Sequence, residues 1–318
     1  MGGFRISRYW PIIAMKSTVF DFHKETRFAE KVSCLYDSFL TILLAFWELY
    51  PRKFQKIDLS TGAGISKMLR DEDAQVYLFG ETHRCTEYQR FRNVLFKYLV
   101  KEKGVRVLVE EAGYATTFLE NETVQGRLSF SDWLDRCTSS KEDYELYQWI
   151  ADWNSGREDA DKISIIGIDI TDNIGNMQML CQYLLKTCDF TGADVQTQRL
   201  LTAIRKQNPF SSLQLQTFQD EFLPQLIELY QTKPEQLENV LGTQAMHLER
   251  TLLGWQEALE QQRLRGKVEQ LGDSDDVYRE NCLYENFMRE YQERPDTKYY
   301  GEFGAAHVLM SDYSGKIY

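Results

Sequence analysis

Four short runs of β-branched and aromatic residues constrain the fold of this chain most strongly. They are QVYLFG at 75–80, VRVLVE at 105–110, ISIIGIDI at 163–170 and KYYGEFG at 298–304. Runs of this length and composition are typical of buried strands. Between the first two, Thr86 and Gln89 are spaced as a capping box that would start a helix, and Gly104 would end it. A strand–helix–strand unit predicts an α/β fold with a mostly parallel central sheet flanked by helices.

The rest of the chain divides into two helical regions. From about 174 to 292 the periodicity is helical, which predicts a helical insertion before the last strand. Within it an apolar stripe with a spacing of three and four residues runs from Pro234 to about 262 and predicts one long helix that packs on its own domain. We expect residues 1–70 to form a helical segment packed on the core, and residues 71–318 to form the α/β domain.

Composition excludes several classes of protein. The chain is 43% hydrophobic, which is ordinary for a globular protein, and its net charge of -11 argues against nonspecific nucleic-acid binding. The six cysteines form no CxxC pair, so we expect reduced thiols rather than a zinc site. The most apolar stretch, residues 39–47, is too short to cross a bilayer. We therefore predict a cytoplasmic protein with no membrane partner.

Two of the four histidines follow predicted strands. His83 comes after VYLFG, and His307 comes after KYYGEFG. Histidine is the side chain best suited to take a proton from water near neutral pH. We assign no site role to His23 or His247, the latter because it lies on a helical face.

Carboxylates gather at the same predicted strand ends. Glu81 precedes the first histidine by two residues, Glu110 and Glu111 end the second strand, and Asp169 lies in the third. The carboxyl ends of parallel strands share one edge of a sheet, where open α/β folds place their sites. We therefore expect these acids to gather around His83 and His307.

Six motifs in this order resemble the erythromycin esterase family. They are GETH at 80–83, Arg92 nine residues beyond its histidine, VLVEEAG with Glu111, GID at 167–169, RENCLYEN at 279–286 and GAAH at 304–307. The wider superfamily includes Tiki-type metalloproteases and bacterial haem-uptake proteins. The resemblance covers roughly residues 75–310 and implies a hydrolase that cleaves an ester or lactone of a small-molecule substrate, with no cofactor.

The resemblance also implies roles for individual residues. His83 would be the general base that activates water, and Glu81, Glu111 and His307 would hold that water. The arginines of the family correspond to Arg92 and Arg279, which could stabilise an oxyanion. The candidate substrate-binding residues are Glu87, Asp169 and Asn286.

Three alternatives use the same chain differently. His83, Glu111 and His307 could bind a divalent metal, which would make the protein a metal-dependent hydrolase or protease. The same cleft could bind haem or another planar ligand without catalysis. The stripe at 234–262 could be a surface for a protein partner. A serine nucleophile is disfavoured because the sequence contains no GxSxG motif.

Overall fold

The computed structural model describes residues 57–69, 73–81, 83, 85–132, 140–170, 172–265 and 275–308. These residues form two compact units. The first contains the residues up to Val105 together with those from Lys298 onward, and the second spans Arg106–Thr297. The predicted N-terminal helical segment falls largely on residues 1–56 and 70, which lie outside the described residues.

The described residues of the first unit include a short helix, two strands and one long helix. Helix α1 spans Ile65–Leu69, β1 spans Val76–Glu81, α2 spans Thr86–Tyr98 and β4 spans Lys298–Gly304. A π-helical turn, Leu99–Lys103, extends α2 as far as Gly104, whose φ of 77° is easily adopted only by glycine. The predicted end of the helix is confirmed.

The prediction that a capping box starts α2 is wrong. The N-cap is Cys85, not Thr86, and it makes no side-chain hydrogen bond to the helix. Packing defines this helix instead. Phe79 on β1 contacts the rings of Tyr88 and Phe91, with centroids 6.0 and 5.4 Å away. Buried aromatic area of this kind outweighs a missing cap.

Strands β1 and β4 pair in parallel over their full length. Val76 lies beside Tyr299, Phe79 beside Glu302 and Glu81 beside Gly304. The central part of β4 is deeply buried, since Tyr299 and Tyr300 have no exposed surface. The last strand therefore belongs to the core, as its aromatic content predicts.

The second unit contains the other parallel pair. Strand β2 spans Val105–Gly113 and β3 spans Ser164–Asp169. Glu110 pairs with Gly167 and Gly113 with Asp169, so β2 carries one extra residue between these pairs, a β-bulge. The bulge extends β2 three residues beyond its predicted end.

Two α-helices lie between β2 and β3 in the described part of this connection. Helix α3 spans Tyr114–Val124 and begins directly after the bulge. Helix α4 spans Lys141–Asn154 and starts with a complete capping box at Ser140. Its last residue, Asn154, is buried and bonds the carbonyls of Val124 and Ile163 as well as the Ile163 amide. This one side chain fixes the entry into β3.

The region after β3 is helical, as predicted. Its helices are α5 Ile174–Leu185, α6 Val195–Arg205, α7 Ser212–Thr217, α8 Leu223–Thr232, α9 Pro234–Leu241, α10 Ala245–Leu264 and α11 Asp275–Glu293. The single long helix predicted from Pro234 is wrong, because a 3-10 turn at Gly242–Gln244 breaks it. Gly242 has a φ of 57° there. The stripe is buried at Leu237 and Leu252 but 46% exposed at Leu259.

The predicted fold class is confirmed: the strands pair in parallel and helices flank them. Within the part of the chain that the structure describes, no helix combines the length and apolar character needed to span a bilayer. Four cysteines fall in that part, and all four are free thiols: Cys85, Cys181, Cys188 and Cys282.

Candidate functional site

His83 and Glu81 form a hydrogen-bonded pair at the end of β1. His83 Nδ1 lies 2.9 Å from Glu81 Oε1. The histidine side chain is 62% exposed, whereas that of Glu81 is only 12% exposed. A buried carboxylate at the end of a rigid strand thus holds an imidazole that faces solvent. The structure brings these two predicted site residues together.

Arg92 is buried rather than directed at solvent. It lies on α2 with a side chain 7% exposed, and its Nη1 donates to Glu302 Oε1 at 3.2 Å. Its Nε donates to the Asn93 side chain at 2.9 Å. Glu302 lies on β4 and is 10% exposed. The guanidinium therefore has a buried carboxylate partner 210 residues away in sequence.

Tyr300 lies beside this ion pair in the core. Its hydroxyl is buried and has no hydrogen-bond partner among the described residues. Burial raises the pKa of Tyr300 well above its ordinary value, and the charge of Glu302 adds to the effect, while Arg92 opposes it and Glu81 contributes. The charges of Glu302, Arg92 and Glu81 therefore all act on the Tyr300 hydroxyl in the interior of the first unit.

A second cluster, in the second unit, is built around Arg279. The guanidinium donates to both oxygens of Asp169, with Nε 2.9 Å from Oδ1 and Nη2 2.6 Å from Oδ2. Nη2 also donates to Glu111 Oε1 at 2.8 Å. The hydrogen bond to Asp169 is the main reason why the pKa of Arg279 is raised above its ordinary value, so the group stays charged. We call Glu111, Asp169 and Arg279 the arginine clamp.

The bulge in β2 helps position the arginine clamp. The bulge adds one residue to β2 between the pairs Glu110–Gly167 and Gly113–Asp169, and Glu111 lies within it. The bulge lies so close to β3 that the residue of β3 opposite it must be glycine. A Cβ on Gly167 would lie 2.3 Å from the Ala112 carbonyl oxygen and 2.6 Å from Thr117 Oγ1. The GID motif thus has a steric reason for its glycine.

A carboxylate from the loop after β3 fixes the start of α3. Asp172 accepts from the backbone amides of Ala115 and Thr116 at 2.7 and 3.2 Å, and from the Thr116 hydroxyl at 2.7 Å. Helix α3 has no side-chain cap at its own N-cap residue, Gly113. Asp172 replaces that cap from a distance and ties the ends of β2 and β3 together.

The remaining predicted site residues have diverse surroundings. Asn286 donates from Nδ2 to the Ile168 carbonyl at 3.0 Å, so it braces β3. Glu87 is exposed on the first turn of α2 and accepts from Cys85 Sγ at 3.6 Å. His307 is half-buried in the 3-10 turn Ala305–Val308 that follows β4. That turn packs against both β1 and β4.

Glu110 contributes to a different cluster from its neighbour Glu111. Tyr147 on α4 donates its hydroxyl proton to the Glu110 carboxylate, with distances of 3.1 and 3.2 Å to its two oxygens. Glu120 on α3 is buried nearby, and its Oε2 has no hydrogen-bond partner among the described residues. Burial, and then the charge of Glu110, raise the pKa of Glu120 well above its ordinary value. The fold therefore favours the protonated form of Glu120.

His247 lies on α10 and belongs to an aromatic cluster. Its Nδ1 is 2.7 Å from the hydroxyl of Tyr114, the first residue of α3, and its ring lies 4.7 Å from that of Phe118. Burial lowers the pKa of His247 below its ordinary value, which favours the neutral ring in this hydrogen bond. This is a packing role that links the helical region to α3.

Metal binding was an alternative use of His83, Glu111 and His307. Among the described residues, no group of three or more His, Cys, Asp or Glu side chains is arranged to hold a metal ion. Glu111 is engaged by Arg279, and His83 by Glu81. Metal binding by His83, Glu111 and His307 stays a prediction.

Sequence reasoning missed Glu302 and Asp172, and it considered Tyr300 only as a possible contact for a planar ligand. Glu302 was visible as a charged residue inside an aromatic strand, which is a signal of a buried ion pair. Asp172 had only its position after β3 to mark it. For Tyr300, no pattern in the sequence separates a buried tyrosine next to charges from an ordinary core ring.

Comparisons with known proteins give structural neighbours only. No family model matches the sequence, and no curated protein matches it. A Bacillus cereus protein of known structure shares 20% identity with a TM-score of 0.52, over 83% of this chain and 64% of its own. A succinoglycan biosynthesis protein shares 18% with a TM-score of 0.50, over 79% of this chain and 62% of its own.

A mutant erythromycin esterase in its open conformation is also similar, at 16% identity with a TM-score of 0.46, over 82% of this chain and 68% of its own. At such identities the likeness shows a distant relationship at the level of the fold, and the esterase match is too weak to carry more. This chain spans less than two thirds of the length of the other two proteins.

Proposed function

We propose that the protein is a hydrolase that cleaves an ester or lactone with His83 as general base. The hydrogen bond of 2.9 Å between His83 Nδ1 and Glu81 Oε1 carries this proposal. An ionised carboxylate can only accept, so Nδ1 bears the proton and the lone pair of the neutral ring is on Nε2. The exposed ring is thus oriented and placed in the tautomer that lets Nε2 take a proton from water.

The reaction follows from that tautomer. Nε2 removes a proton from water as the water oxygen attacks the ester carbonyl carbon, which gives a tetrahedral intermediate and an imidazolium. Glu81 stabilises the imidazolium through the Nδ1 hydrogen bond. The intermediate expels the alkoxide, which takes the proton from Nε2, and the products are a carboxylic acid and an alcohol. General base catalysis of this kind contributes about 10²- to 10⁴-fold to a rate.

The other site residues are assigned by the resemblance and by their contacts. The resemblance assigns the holding of the attacking water to Glu111 and His307, and contact with the substrate to Glu87, Asp169 and Asn286, and these roles stay predictions. For Arg92 and Arg279 we propose a positioning role, because both donate to carboxylates. Direct stabilisation of the oxyanion by either guanidinium stays a prediction.

The proposal is tested by mass spectrometry of a panel of macrolactones and simple esters after incubation with the protein. For a lactone, a product heavier by one water identifies a substrate, and for a simple ester the released acid and alcohol do. His83→Gln should lower the rate by about 100-fold or more. His247→Gln is the matched control, since His247 is hydrogen-bonded within the aromatic cluster, and it should leave the rate within about threefold. Equal rates for wild type and His83→Gln would overturn the assignment.

Two further arms separate the alternatives. Activity that survives dialysis against a chelator supports the metal-free reaction, whereas activity that is lost and then restored by a divalent metal supports the metal-dependent one. If no ester is cleaved, a haem titration that produces a Soret shift dependent on His83 or His307 would favour ligand binding.

A further inference from the structure

We propose that Glu302 is a positioning residue that occupies Arg92 and thereby reserves Glu81 for His83. The inference deepens the proposed function, on which it rests only in treating His83 as the base. Nothing in the sequence patterns or the comparisons assigns a role to Glu302. The buried Arg92–Glu302 pair, the strand register and the His83–Glu81 hydrogen bond together suggest this role.

Glu302 and Glu81 project from the same face of the β1–β4 pair. Residues paired across parallel strands share a face, and alternate residues along a strand do so too. Glu302 pairs with Phe79, and Glu81 is two residues beyond Phe79. A strand spacing near 4.8 Å and a rise near 3.3 Å per residue place the two Cα atoms about 8 Å apart. Helix α2 covers this face, and the side chain of Arg92 projects from α2.

Arg92 must have a carboxylate partner where it lies. Its side chain is 7% exposed, and a buried charge that loses its partner is strongly destabilising. Arg92 donates to Glu302, and the strand register places Glu81 on the same face as Glu302. The electrostatic influence of both glutamates and of Arg92 on the buried Tyr300 hydroxyl is consistent with their proximity.

Loss of the Glu302 charge would therefore redirect Arg92. Glu81 would be the nearest remaining carboxylate on the face, and the arginine would draw it away from His83. Without the Glu81 carboxylate at Nδ1, the neutral imidazole would shift its proton toward Nε2. That shift removes the lone pair from the nitrogen that acts as base.

The experiment measures the tautomer of His83 by NMR in protein labelled with ¹⁵N-histidine, at a pH where the ring is neutral. The ¹⁵N shifts of Nδ1 and Nε2 report which nitrogen bears the proton, and His83→Ala assigns the signals. In Glu302→Gln, the ratio of the Nδ1–H to the Nε2–H form should fall by about fivefold or more, the factor that a net hydrogen bond of ~1 kcal/mol represents.

Two variants distinguish positioning from a merely structural effect. Glu290→Gln breaks the Arg250–Glu290 pair, whose side chains are 12% and 10% exposed and which belongs to the second unit. It should leave the His83 ratio unchanged. The double variant Arg92→Gln, Glu302→Gln removes the arginine that would compete for Glu81, so it should restore the wild-type ratio.

Each outcome decides the proposal. An unchanged ratio in Glu302→Gln overturns it, as does an equal shift in Glu290→Gln. A double variant that stays shifted also overturns it, because a structural role predicts no rescue. If Glu302→Gln does not fold, the folded double variant must still show the wild-type ratio. No substrate enters the measurement, so a failed search for hydrolysis leaves its result intact.

Discussion

Gly167 is the position where one added methyl group should damage both the fold and the arginine clamp. An ideal Cβ there would lie 2.3 Å from the Ala112 carbonyl oxygen and 2.9 Å from that of Gly113. Both atoms belong to the backbone of the β2 bulge, so no side-chain rotation relieves the overlap. Gly167→Ala must therefore push the bulge away from β3 by about 0.7 Å to reach a tolerable 3.0 Å.

The cost follows from two contributions. Overpacking against rigid backbone costs about 1–3 kcal/mol. Displacement of the bulge also moves Glu111, whose hydrogen bond with Arg279 is 2.8 Å long. A weakened charge-assisted hydrogen bond costs up to about 1.5–3 kcal/mol. We expect Gly167→Ala to lower the free energy of unfolding by roughly 3 kcal/mol.

Urea-induced unfolding, followed by circular dichroism, measures this loss. Gly254→Ala is the matched control, because Gly254 lies within α10 and a Cβ there meets no atom within 4 Å. It should stabilise the protein by up to about 1 kcal/mol through helix propensity. If Gly167→Ala unfolds within about 0.5 kcal/mol of wild type, the account of the bulge is wrong.

Three other perturbations have defined outcomes. Arg279→Gln removes the partner of the Glu111 and Asp169 carboxylates and should lower the free energy of unfolding in urea by about 3–5 kcal/mol. Arg263→Gln, in an exposed pair, should lower it far less. Equal losses for the two variants would contradict this. Because burial raises the pKa of Glu120, the folded protein binds the extra proton and its stability falls as pH rises above 4.5. Glu120→Gln should therefore gain stability over wild type as pH rises, by up to about 1.4 kcal/mol per pH unit in unfolding curves measured from pH 5 upward. A difference in unfolding free energy that does not change with pH would contradict this. Burial also raises the pKa of the Cys181 thiol to about 12, so peptide mass spectrometry after iodoacetamide treatment should find Cys85 modified in native protein and Cys181 only after denaturation.

The positions of the strands could be predicted from the sequence because runs of this composition are rarely anything other than buried strands. The run KYYGEFG is a strand over its full predicted length, and β1 and β3 differ from their predictions by one residue at each end. The bulge that lengthens β2 could not be predicted, since it depends on how Ala112 approaches Gly167. That approach is a tertiary contact with no local signature.

Helix boundaries were predicted less well where local rules compete with packing. The spacing of Thr86 and Gln89 fits a capping box, yet the helix begins without a side-chain cap because the aromatic contacts of Phe79 fix its position. The long helix predicted from Pro234 ignored Gly242, whose left-handed φ interrupts it. A single glycine within an apolar stripe was the available warning.

The candidate site was predictable as a set of residues but not as a set of bonds. The pairing of Glu81 with His83 follows from their spacing at a strand end. The partners of the two arginines do not, because Arg92 and Glu302 are 210 residues apart and Arg279 and Asp169 are 110 apart. Which acid an arginine selects depends on the strand register and on burial.

The most direct test of the central claim compares kcat for four proteins on an ester or lactone that the panel identifies: wild type, His83→Gln, Glu81→Gln and the double variant. Residues that act as one unit have non-additive effects on a rate. If Glu81 acts through His83, the double variant is no slower than His83→Gln alone. A double variant slowed by the product of the two single effects would contradict the account, since Glu81 would then serve the reaction independently of His83.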